Sequence, residues 1–285
     1  MTGRCPISVL IPTRNEIVNI GACIDSARFC DEIVVVDSLS TDGTRAAATG
    51  LGATVVDFRW DRRYPKKKNW ALANVPWRHE WVFILDADER MTPELAAELP
   101  GAVTAEEYGG YYVNRRFYFM GGWLRHCGYY PSWNLRLFRH RLGRYEQPGD
   151  AADTGSGDNE VHEHVRLSGP CGRLRGELEH HAYPTIEIWV EKHNHYSNWE
   201  ARVALGGLAA AGGKGAGASL DQKRRFKRIA RTLPFRPTLR FLYHFIGRAG
   251  FLDGYRGYVF CRLMAFYEFL SVVKSRELRR QPPPA

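Results

Sequence analysis

Two carboxylates, Asp86 and Asp88, follow directly after the apolar run Trp81-Val82-Phe83-Ile84-Leu85. Such a run is typical of a fully buried strand. Because side chains alternate along an extended backbone, both carboxylates point to the same side, just past the carboxyl end of this strand. Ligands bind at that edge in open α/β sheets, and two hard oxygen donors there suit Mg²⁺ or Mn²⁺ bound to a diphosphate. The alternative is that Asp88 only caps a helix beginning near Thr92-Pro93-Glu94.

Polar residues also follow other apolar runs in the first hundred residues. Ile7-Ser8-Val9-Leu10-Ile11 ends at Pro12-Thr13-Arg14-Asn15-Glu16, and Ile33-Val34-Val35-Val36 ends at Asp37-Ser38-Leu39-Ser40-Thr41-Asp42-Gly43-Thr44. Thr54-Val55-Val56 is a shorter apolar run, and helices are predicted at about 17–28, 43–51 and 65–74. Strands that alternate with helices indicate βαβ units and a mostly parallel sheet. The polar clusters should therefore meet at one edge and form a site.

Four of these motifs resemble those of the family 2 glycosyltransferases, and they occur in the expected order. They are Ile-Pro-Thr-Arg-Asn-Glu at 11–16, Val-Val-Asp-Ser-Leu-Ser-Thr-Asp-Gly-Thr at 35–44, Lys-Asn-Trp-Ala-Leu at 68–72 and Leu-Asp-Ala-Asp-Glu-Arg at 85–90. Further stretches resemble the subgroup of bacterial lipopolysaccharide-core sugar transferases, at 121–126, 134–139, 161–163 and 250–257. Together the resemblance covers about residues 5–275.

The resemblance implies an α/β GT-A fold, Rossmann-like with helices on both faces of a mostly parallel sheet, and an inverting, metal-dependent transfer of a hexose or heptose. It implies a nucleotide-sugar site formed by Pro12, Thr13, Asn15, Glu16, Asp37, Ser38, Lys68, Asp86 and Ala87. Many family members carry a second carboxylate where this chain has Ser38, and that carboxylate often contacts the base. Base recognition is therefore expected to fall to Asp37 or to backbone groups.

Glycosyl transfer requires stabilisation of the leaving diphosphate and a base for the acceptor hydroxyl. Asp88 is the expected ligand of Mg²⁺ or Mn²⁺, with Asp86 touching the ribose or the ion, and the bound ion would act as a Lewis acid. His180 falls where the subgroup has a histidine, so the resemblance implies that it is a further metal ligand. Lys68 is expected to add positive charge toward the diphosphate. For Lys66 and Lys67, a solvated face is an equally good interpretation. The base candidates are Glu163, Glu160 and Asp158, and Glu163 is preferred because Val161-His162-Glu163 matches the subgroup pattern.

The composition predicts a protein without disulfides that has a distinct C-terminal region. The six cysteines show no Cys-x-x-Cys pair, and no signal peptide is recognisable, which favours a reduced cytoplasmic setting. The expected organisation is a catalytic domain at 1–204 (nucleotide-sugar half about 1–100, acceptor half about 101–204), a Gly/Ala-rich linker at 205–220 and a basic amphipathic helical region at 221–285.

Positive charge is concentrated in this last region. Residues 221–248 contain nine Lys or Arg and one acidic residue, so they carry +8 of the formal net charge of +9. Charged residues interrupt the apolar stretches that follow, which predicts a helix lying on an anionic bilayer and not a spanning one. The alternative is a helical appendage packed on the catalytic domain or on a second subunit. No nucleic-acid-binding motif accompanies the charge.

These observations predict a glycosyltransferase that acts on a lipid-linked glycan, with lipopolysaccharide inner core as the acceptor, at the inner face of the cell membrane. The expected partners are a nucleotide-diphosphate sugar, this acceptor and an anionic membrane surface. The alternatives are a polyprenyl-phosphate sugar transferase and, from another class, a noncatalytic nucleotide-sugar-binding or membrane scaffold protein. Intact Asp86, Asp88 and Glu163 argue against the noncatalytic alternative.

Overall fold

A computed structural model of the 285-residue chain describes residues 3–147, 158, 164–206 and 235–280. These residues form two compact units. The first contains residues up to 116, then 131–147, 158 and 164–182, and the second contains residues 117–130, 183–206 and 235–280. The preferred base Glu163, the alternative Glu160, most of the expected linker and the cluster at 223–231 lie outside the described residues.

Strands and helices alternate in the first hundred residues, as the sequence predicts. The elements are β1 (Cys5–Thr13), α1 (Ile17–Ser26), β2 (Cys30–Asp37), α2 (Thr44–Gly50), β3 (Thr54–Asp57), α3 (Lys67–Asn74) and β4 (Trp81–Ile84). They are followed by β5 (Glu89–Met91) and α4 (Pro93–Thr104). Thr92, not Asp88, caps α4: its hydroxyl accepts the Leu95 N–H at 3.3 Å. Asp88 is therefore not needed as a helix cap.

Further strands extend the sheet beyond this parallel part. They are β6 (Gly110–Phe119), β7 (Gly122–Leu124), β8 (Trp133–Arg139), β9 (Gly143–Tyr145), β10 (Val165–Leu167) and β11 (Cys171–His180). Within the described residues, the strand order is β3-β2-β1-β4-β8-β6-β11-β5. The pairs β3-β2, β2-β1 and β1-β4 are parallel, whereas β4-β8, β8-β6 and β11-β5 are antiparallel. The sheet is thus mixed, and its parallel part comprises the strands predicted from the βαβ pattern.

Alternate residues of each strand point to opposite faces of the sheet, and helices cover both faces. On one face, Val9, Val35 and Phe83 pack with residues of α1, α2 and α4. On the other face, Leu10, Val34 and Ile84 pack with Ala71 and Leu72 of α3. Burial on both faces explains why these strands read as continuous apolar runs.

The second unit joins the β6–β7 hairpin to C-terminal helices. Its helices are α5 (Ile186–Gly206), α6 (Arg236–Leu242) and α7 (Gly254–Arg280), with a π-helical turn at Tyr243–Gly247 and a 3₁₀ turn at Gly250–Asp253. Lys274 of α7 donates to Asn194 and Ser197 of α5, and His193 of α5 packs edge-on against Tyr267. These contacts group α5 with the C-terminal helices, although the sequence-based division placed most of it in the catalytic domain.

Among the described residues, no helix is both long enough and apolar enough to cross a membrane.

Helix α4 approaches the sheet closely at Gly176 of β11. A Cβ atom at this position would lie 2.3 Å from Leu95 Cα and 2.5 Å from Leu95 N, both backbone atoms. We expect Gly176→Ala to lower the free energy of unfolding by about 1–3 kcal/mol, the usual cost of overpacking. The matched control is Gly101→Ala in α4, where a Cβ would meet nothing within 4 Å. Urea denaturation of both variants tests this, and equal stability of the two would contradict the close approach.

Candidate functional site

The turn after β1 and the turn after β2 are joined by a network centred on Asp37. The fully buried Asp37 carboxylate accepts the Thr13 hydroxyl at 2.8 Å, the Ser40 N–H at 2.7 Å and the Ser40 hydroxyl at 2.5 Å. Asn15 contributes to the same network, since its N–H donates to Ser40 Oγ and its side chain accepts the Thr41 N–H. The carboxylate therefore holds the shape of both turns, and both of its oxygens are engaged by protein groups.

The predicted polar cluster also includes the start of α1. The backbone N–H of Glu16 donates to Thr44 Oγ1 at 2.8 Å, and the N–H of Ile17 donates to Asp42 Oδ2 at 3.0 Å. Residues of the second turn thus satisfy backbone donors at the beginning of α1, which helix ends require. Pro12 lies in the parallel ladder opposite Val36. The polar residues after β1 and β2 come together as predicted.

Ser38 contacts a carboxylate that comes from a distant part of the chain. Its hydroxyl donates to Asp158 Oδ2, and the Asp158 carbonyl accepts the Lys67 N–H at 2.9 Å. Lys67 Nζ lies 3.3 Å from the same carboxylate oxygen and donates to the Thr13 carbonyl at 2.8 Å. Burial lowers the pKa of the Lys67 ammonium, and the Asp158 carboxylate opposes that shift. Asp158 is thus held beside Ser38, one of the residues predicted to bind the nucleotide sugar.

The expectation that Lys66 and Lys67 could form a solvated face is wrong. The exposed fractions of Lys66, Lys67 and Lys68 are 0%, 1% and 4%. All three cations lie at or beside the N-terminus of α3 and are buried. A buried ammonium requires a partner, and for Lys67 and Lys68 these partners are carboxylates at the sheet edge. The sequence analysis gave a role only to Lys68, whereas the fold gives Lys67 and Lys68 separate carboxylate partners.

Asp86 is the centre of a buried ion cluster. Lys68 Nζ lies 2.8 Å from its Oδ1, and a guanidinium nitrogen of Arg136 in β8 lies 2.7 Å from its Oδ2. Burial by itself would raise the pKa of the Asp86 carboxyl, but the Arg136 guanidinium and the Lys68 ammonium hold this pKa well below its usual range. Conversely, Asp86 raises the pKa of Lys68 against the effect of burial. Asp86 is therefore ionised and fixed between two cations.

Glu89 completes this cluster. Its fully buried carboxylate lies 2.5 Å from the same Arg136 nitrogen and 3.2 Å from Arg115 of β6, and it accepts the Asp86 N–H at 3.1 Å. The sequence analysis assigned no role to Glu89, Arg115 or Arg136. A signal was present in Leu135-Arg136-Leu137-Phe138, where a charged residue lies within an apolar run that reads as a buried strand. A buried arginine is almost always paired.

Asp88 and His180 lie at the same strand ends as the Asp86 cluster. We call these two residues, together with Lys68, Asp86, Glu89, Arg115 and Arg136, the strand-end site. His180 Nε2 lies 3.6 Å from Asp88 Oδ1, and both side chains are mostly buried. The Asp88 carbonyl accepts the N–H of His181 at 2.8 Å, which fixes the turn after β4 against the end of β11. In the part of the chain that the structure describes, no group of three or more His, Cys, Asp or Glu side chains is arranged to hold a metal ion. Asp86, predicted to touch the ribose or the ion beside these two residues, contacts Lys68 and Arg136.

Arg136 is expected to stabilise the fold through the two carboxylates that it pairs. We expect Arg136→Ala to lower the free energy of unfolding by about 3–5 kcal/mol, the usual cost of removing one partner from a buried pair. Because the pKa of Asp86 is depressed in the folded protein, its share of this difference is present above about pH 4 and is lost as the pH falls through the folded-state pKa.

Chemical denaturation of the wild type and variant across this pH range tests the expectation. The matched control is Arg175→Ala, which removes an exposed arginine from β11. If the two variants were equally stable at neutral pH, the Arg136 ion pairs would contribute nothing to folding.

Comparison with known proteins identifies relatives along nearly the whole chain. The sequence profile of Glycosyl transferase family 2 matches residues 8–157. The lipopolysaccharide core biosynthesis glycosyltransferase LpsC of Rhizobium meliloti (strain 1021) is 31% identical over 289 residues, which cover 96% of this chain and 93% of LpsC. A glycosyltransferase of Rickettsia typhi, RT0209, is 28% identical over 95% of this chain and 87% of its own length.

Two solved structures are also similar. The mannosyltransferase PcManGT of Pyrobaculum calidifontis, in complex with GDP-Man and Mn²⁺, has a TM-score of 0.44 and 18% identity, and the match covers 98% of this chain and 88% of PcManGT. The glucosyl-3-phosphoglycerate synthase of Mycobacterium tuberculosis, in complex with Mn²⁺, UDP and glucosyl-3-phosphoglycerate, has a TM-score of 0.40 and 21% identity, over 67% of this chain and 77% of the synthase.

The profile match and the LpsC identity confirm the resemblance that the strand-end motifs indicated, and the mixed α/β fold is the GT-A fold expected with it. The chain belongs to glycosyl transferase family 2.

Proposed function

We propose that the protein is an inverting glycosyltransferase that moves a hexose or heptose from a nucleotide-diphosphate donor to a lipid-linked glycan, with lipopolysaccharide inner core as the acceptor. The observation that carries this proposal is the strand-end site, where Lys68 and Arg136 hold an ionised Asp86 next to Asp88 and His180. LpsC is named for lipopolysaccharide core biosynthesis, and its sequence matches nearly the whole chain, which supports lipopolysaccharide core as the acceptor class. The reaction is proposed to occur at the cytoplasmic face of the membrane.

The turns after β1 and β2 form the nucleoside end of the proposed donor site. Thr13, Asn15, Asp37 and Ser40 hold one another through hydrogen bonds, so the main-chain groups of these turns are preorganised before the donor binds. Ser38 and the paired Asp158 offer polar groups at the same edge, in addition to the Asp37 and backbone groups that the sequence implied. Binding to a preordered site costs less entropy than binding to a flexible one.

Lys68 and Asp86 lie at the diphosphate end of this site. Asp86 is ionised at neutral pH, so it can accept a ribose hydroxyl or contact an ion, while Lys68 supplies positive charge at the same edge. Ala87 lies between the two carboxylates, where its main-chain groups adjoin the diphosphate. Fixed charges in a partly buried site stabilise the leaving group more strongly than solvated ones do.

Asp88 and His180 are suited to hold a divalent ion together with the donor. Mg²⁺ usually binds one or two carboxylates, several waters and substrate phosphates, and not a complete protein cage. One carboxylate with one imidazole at 3.6 Å fits that pattern. When bound there, Mg²⁺ or Mn²⁺ would supply Lewis-acid stabilisation of the diphosphate. Asp86 contributes through its charge and its contact with Lys68.

Glu163 remains the proposed general base, and its position lies outside the described residues. Of the alternatives, Asp158 already accepts hydrogen bonds from Ser38 and lies beside Lys67, so its role fits donor binding better than proton removal. In the proposed reaction, the Glu163 carboxylate takes the acceptor hydroxyl proton while the acceptor oxygen attacks the anomeric carbon from the face opposite the diphosphate. The bond from that carbon to the diphosphate oxygen breaks, and the nucleoside diphosphate leaves with the bonding electrons. Inversion at the anomeric carbon follows from this single displacement.

Asp88→Asn is expected to abolish sugar transfer and to remove the thermal stabilisation that a nucleoside diphosphate gives only in the presence of Mn²⁺. The fold should be retained, since the main-chain bond between Asp88 and His181 does not depend on the carboxylate. Asp25→Asn, which changes an exposed carboxylate of α1, is the matched control. Thermal shift with and without Mn²⁺ and a transfer assay measure both effects, and undiminished transfer by the Asp88 variant would refute the metal assignment.

Glu163→Gln is expected to lower kcat by roughly 10²–10⁴-fold with little change in donor affinity, because loss of a general base removes proton acceptance and preserves shape. Glu160→Gln and Asp158→Asn are the comparison variants. Steady-state kinetics, with donor affinity from calorimetry, separate the two effects. Loss of donor binding in the Glu163 variant would show that this residue is a ligand contact, and the base would have to be sought at Glu160 or Asp158.

A further inference from the structure

Helix α7 has one face that packs within the second unit. Its buried residues recur at helical spacing and are Gly257, Phe260, Cys261, Met264, Glu268 and Ser271. Phe260 packs against Phe117 and Phe119 of the β6–β7 hairpin and edge-on against Tyr129. Because this face already joins α7 to the hairpin, apolar residues elsewhere on the helix are not needed for that contact.

A second set of residues runs along the opposite side of α7, and we call it the outer stripe. It consists of Tyr255, Tyr258, Arg262, Phe266, Phe269 and Val273, all at intervals of three or four residues. At about 100° per residue, its apolar members lie within about 80° of one another and their centre is about 150° from that of the buried face. These apolar side chains are exposed, and Tyr255 is the most exposed at 73%. The helix is thus apolar on two sides, and the described residues leave the apolar side chains of the outer stripe exposed.

The preceding segment continues this exposed apolar surface. Its exposed residues are Phe235, Leu239, Leu242, Tyr243, Ile246, Phe251 and Leu252. Phe241 and Phe245 of this segment pack edge-on against Tyr258, with ring centroids 6.2 Å and 6.0 Å apart, which places the segment beside the outer stripe. Of the 20 exposed large hydrophobic residues in the described parts of the chain, 12 lie between 235 and 273. Such concentration marks an interaction surface, because single exposed apolar residues are normally scattered.

Positive charge next to this surface in the sequence, and Arg262 within it, indicate which kind of partner the surface fits. Lys223, Arg224, Arg225, Lys227, Arg228 and Arg231 immediately precede Phe235 in the sequence. Arg262 lies within the outer stripe, with its guanidinium 5.7 Å from the centre of the Phe241 ring. A long side chain of this type can keep its stem on apolar surface while its charge reaches the polar headgroups.

A second copy of the chain is a poor partner for the same surface. In a twofold dimer the same patch meets itself, so the exposed Arg262 of one copy would face that of the other, and the six cations at 223–231 add like charge to both copies. An anionic bilayer instead offers apolar chains to the aromatic side chains and negative headgroups to the cations. Tyrosine and phenylalanine beside arginine and lysine are the side chains that favour such interfaces.

We propose that the outer stripe of α7 and the exposed residues 235–252 form a membrane-contact surface that lies on an anionic bilayer. The aromatic side chains enter the boundary between headgroups and acyl chains, and Arg262 contacts the headgroups. This inference rests on the proposed function in one respect, since a lipid-linked acceptor resides in such a bilayer. The contact itself requires no catalysis.

The test is cosedimentation of the full chain with vesicles of phosphatidylcholine alone or containing phosphatidylglycerol, at low and high salt. The wild type should bind the anionic vesicles, more weakly as salt shortens the Debye length to about 3 Å near 1 M. The triple variant Tyr255→Gln, Phe266→Gln, Phe269→Gln should bind roughly 10- to 100-fold more weakly, because it loses three apolar insertions. The control is Val18→Gln with Leu142→Gln, two exposed aliphatic residues of the first unit, which should bind like the wild type.

A second variant isolates the charge contribution. Replacing Lys223, Arg224, Arg225, Lys227 and Arg228 with Gln should weaken binding at low salt and have little effect at high salt, where these charges are already screened. Sedimentation velocity tests the alternative partner. A wild-type dimer that the triple variant converts to monomers, without vesicle binding, would overturn the proposal.

Thermal unfolding and nucleoside-diphosphate binding by the same variants confirm that each is folded. Vesicle binding by the triple variant equal to that of the wild type would also overturn the proposal. The two conclusions fail separately: a wild type that transfers sugar to a soluble acceptor fragment but ignores vesicles refutes only the membrane surface. Vesicle binding that depends on the outer stripe, in a wild type without transferase activity, refutes only the proposed function.

Discussion

The strand-end site depends on one constraint, which is that buried carboxylates must be compensated by cations from other parts of the fold. Asp86 lies just after β4 and Glu89 begins β5, yet their partners come from α3, β6 and β8 in the form of Lys68, Arg115 and Arg136. β4 belongs to the parallel part of the sheet and β8 pairs with it antiparallel. The cluster therefore couples the position of Asp86 and Glu89 to correct pairing of strands that are distant in sequence.

The first hundred residues were predictable because their signals are local. Apolar runs of strand length alternate with helical stretches, and each polar motif lies next to the strand that positions it. Thr13, Asp37 and Asp86 therefore come to one edge, as their positions after β1, β2 and β4 required. Buried parallel strands leave little ambiguity, because both of their faces are apolar.

The partners of these residues were not predictable in the same way. Nothing near Lys67 in the sequence indicates that Asp158 would be its partner, and nothing near Asp86 indicates Arg136. Pairing across such separations is set by the order of strands in the sheet, and periodicity does not specify that order beyond the βαβ units. The burial of Lys66 and Lys67 was missed for the same reason. A run of three lysines usually indicates a solvated face, and the sequence does not show which carboxylates the fold brings beside it. Arg136 was the exception that could have been found, from its place between Leu135 and Leu137.

The sum of charges in the cluster bears on what the site binds. Lys68, Arg115 and Arg136 supply three positive charges, and Asp86 and Glu89 supply two negative ones, so this group carries a net charge of +1 before a ligand arrives. Buried positive charge without an equal negative charge is costly and is relieved by an anion. In the proposed donor site, a diphosphate would bring such negative charge to this edge, and Asp88 would hold the divalent ion that binds with it. Because Asp86 is already neutralised by Lys68 and Arg136, it need not compete with Asp88 for the ion, and the two carboxylates of the motif can serve different parts of the donor.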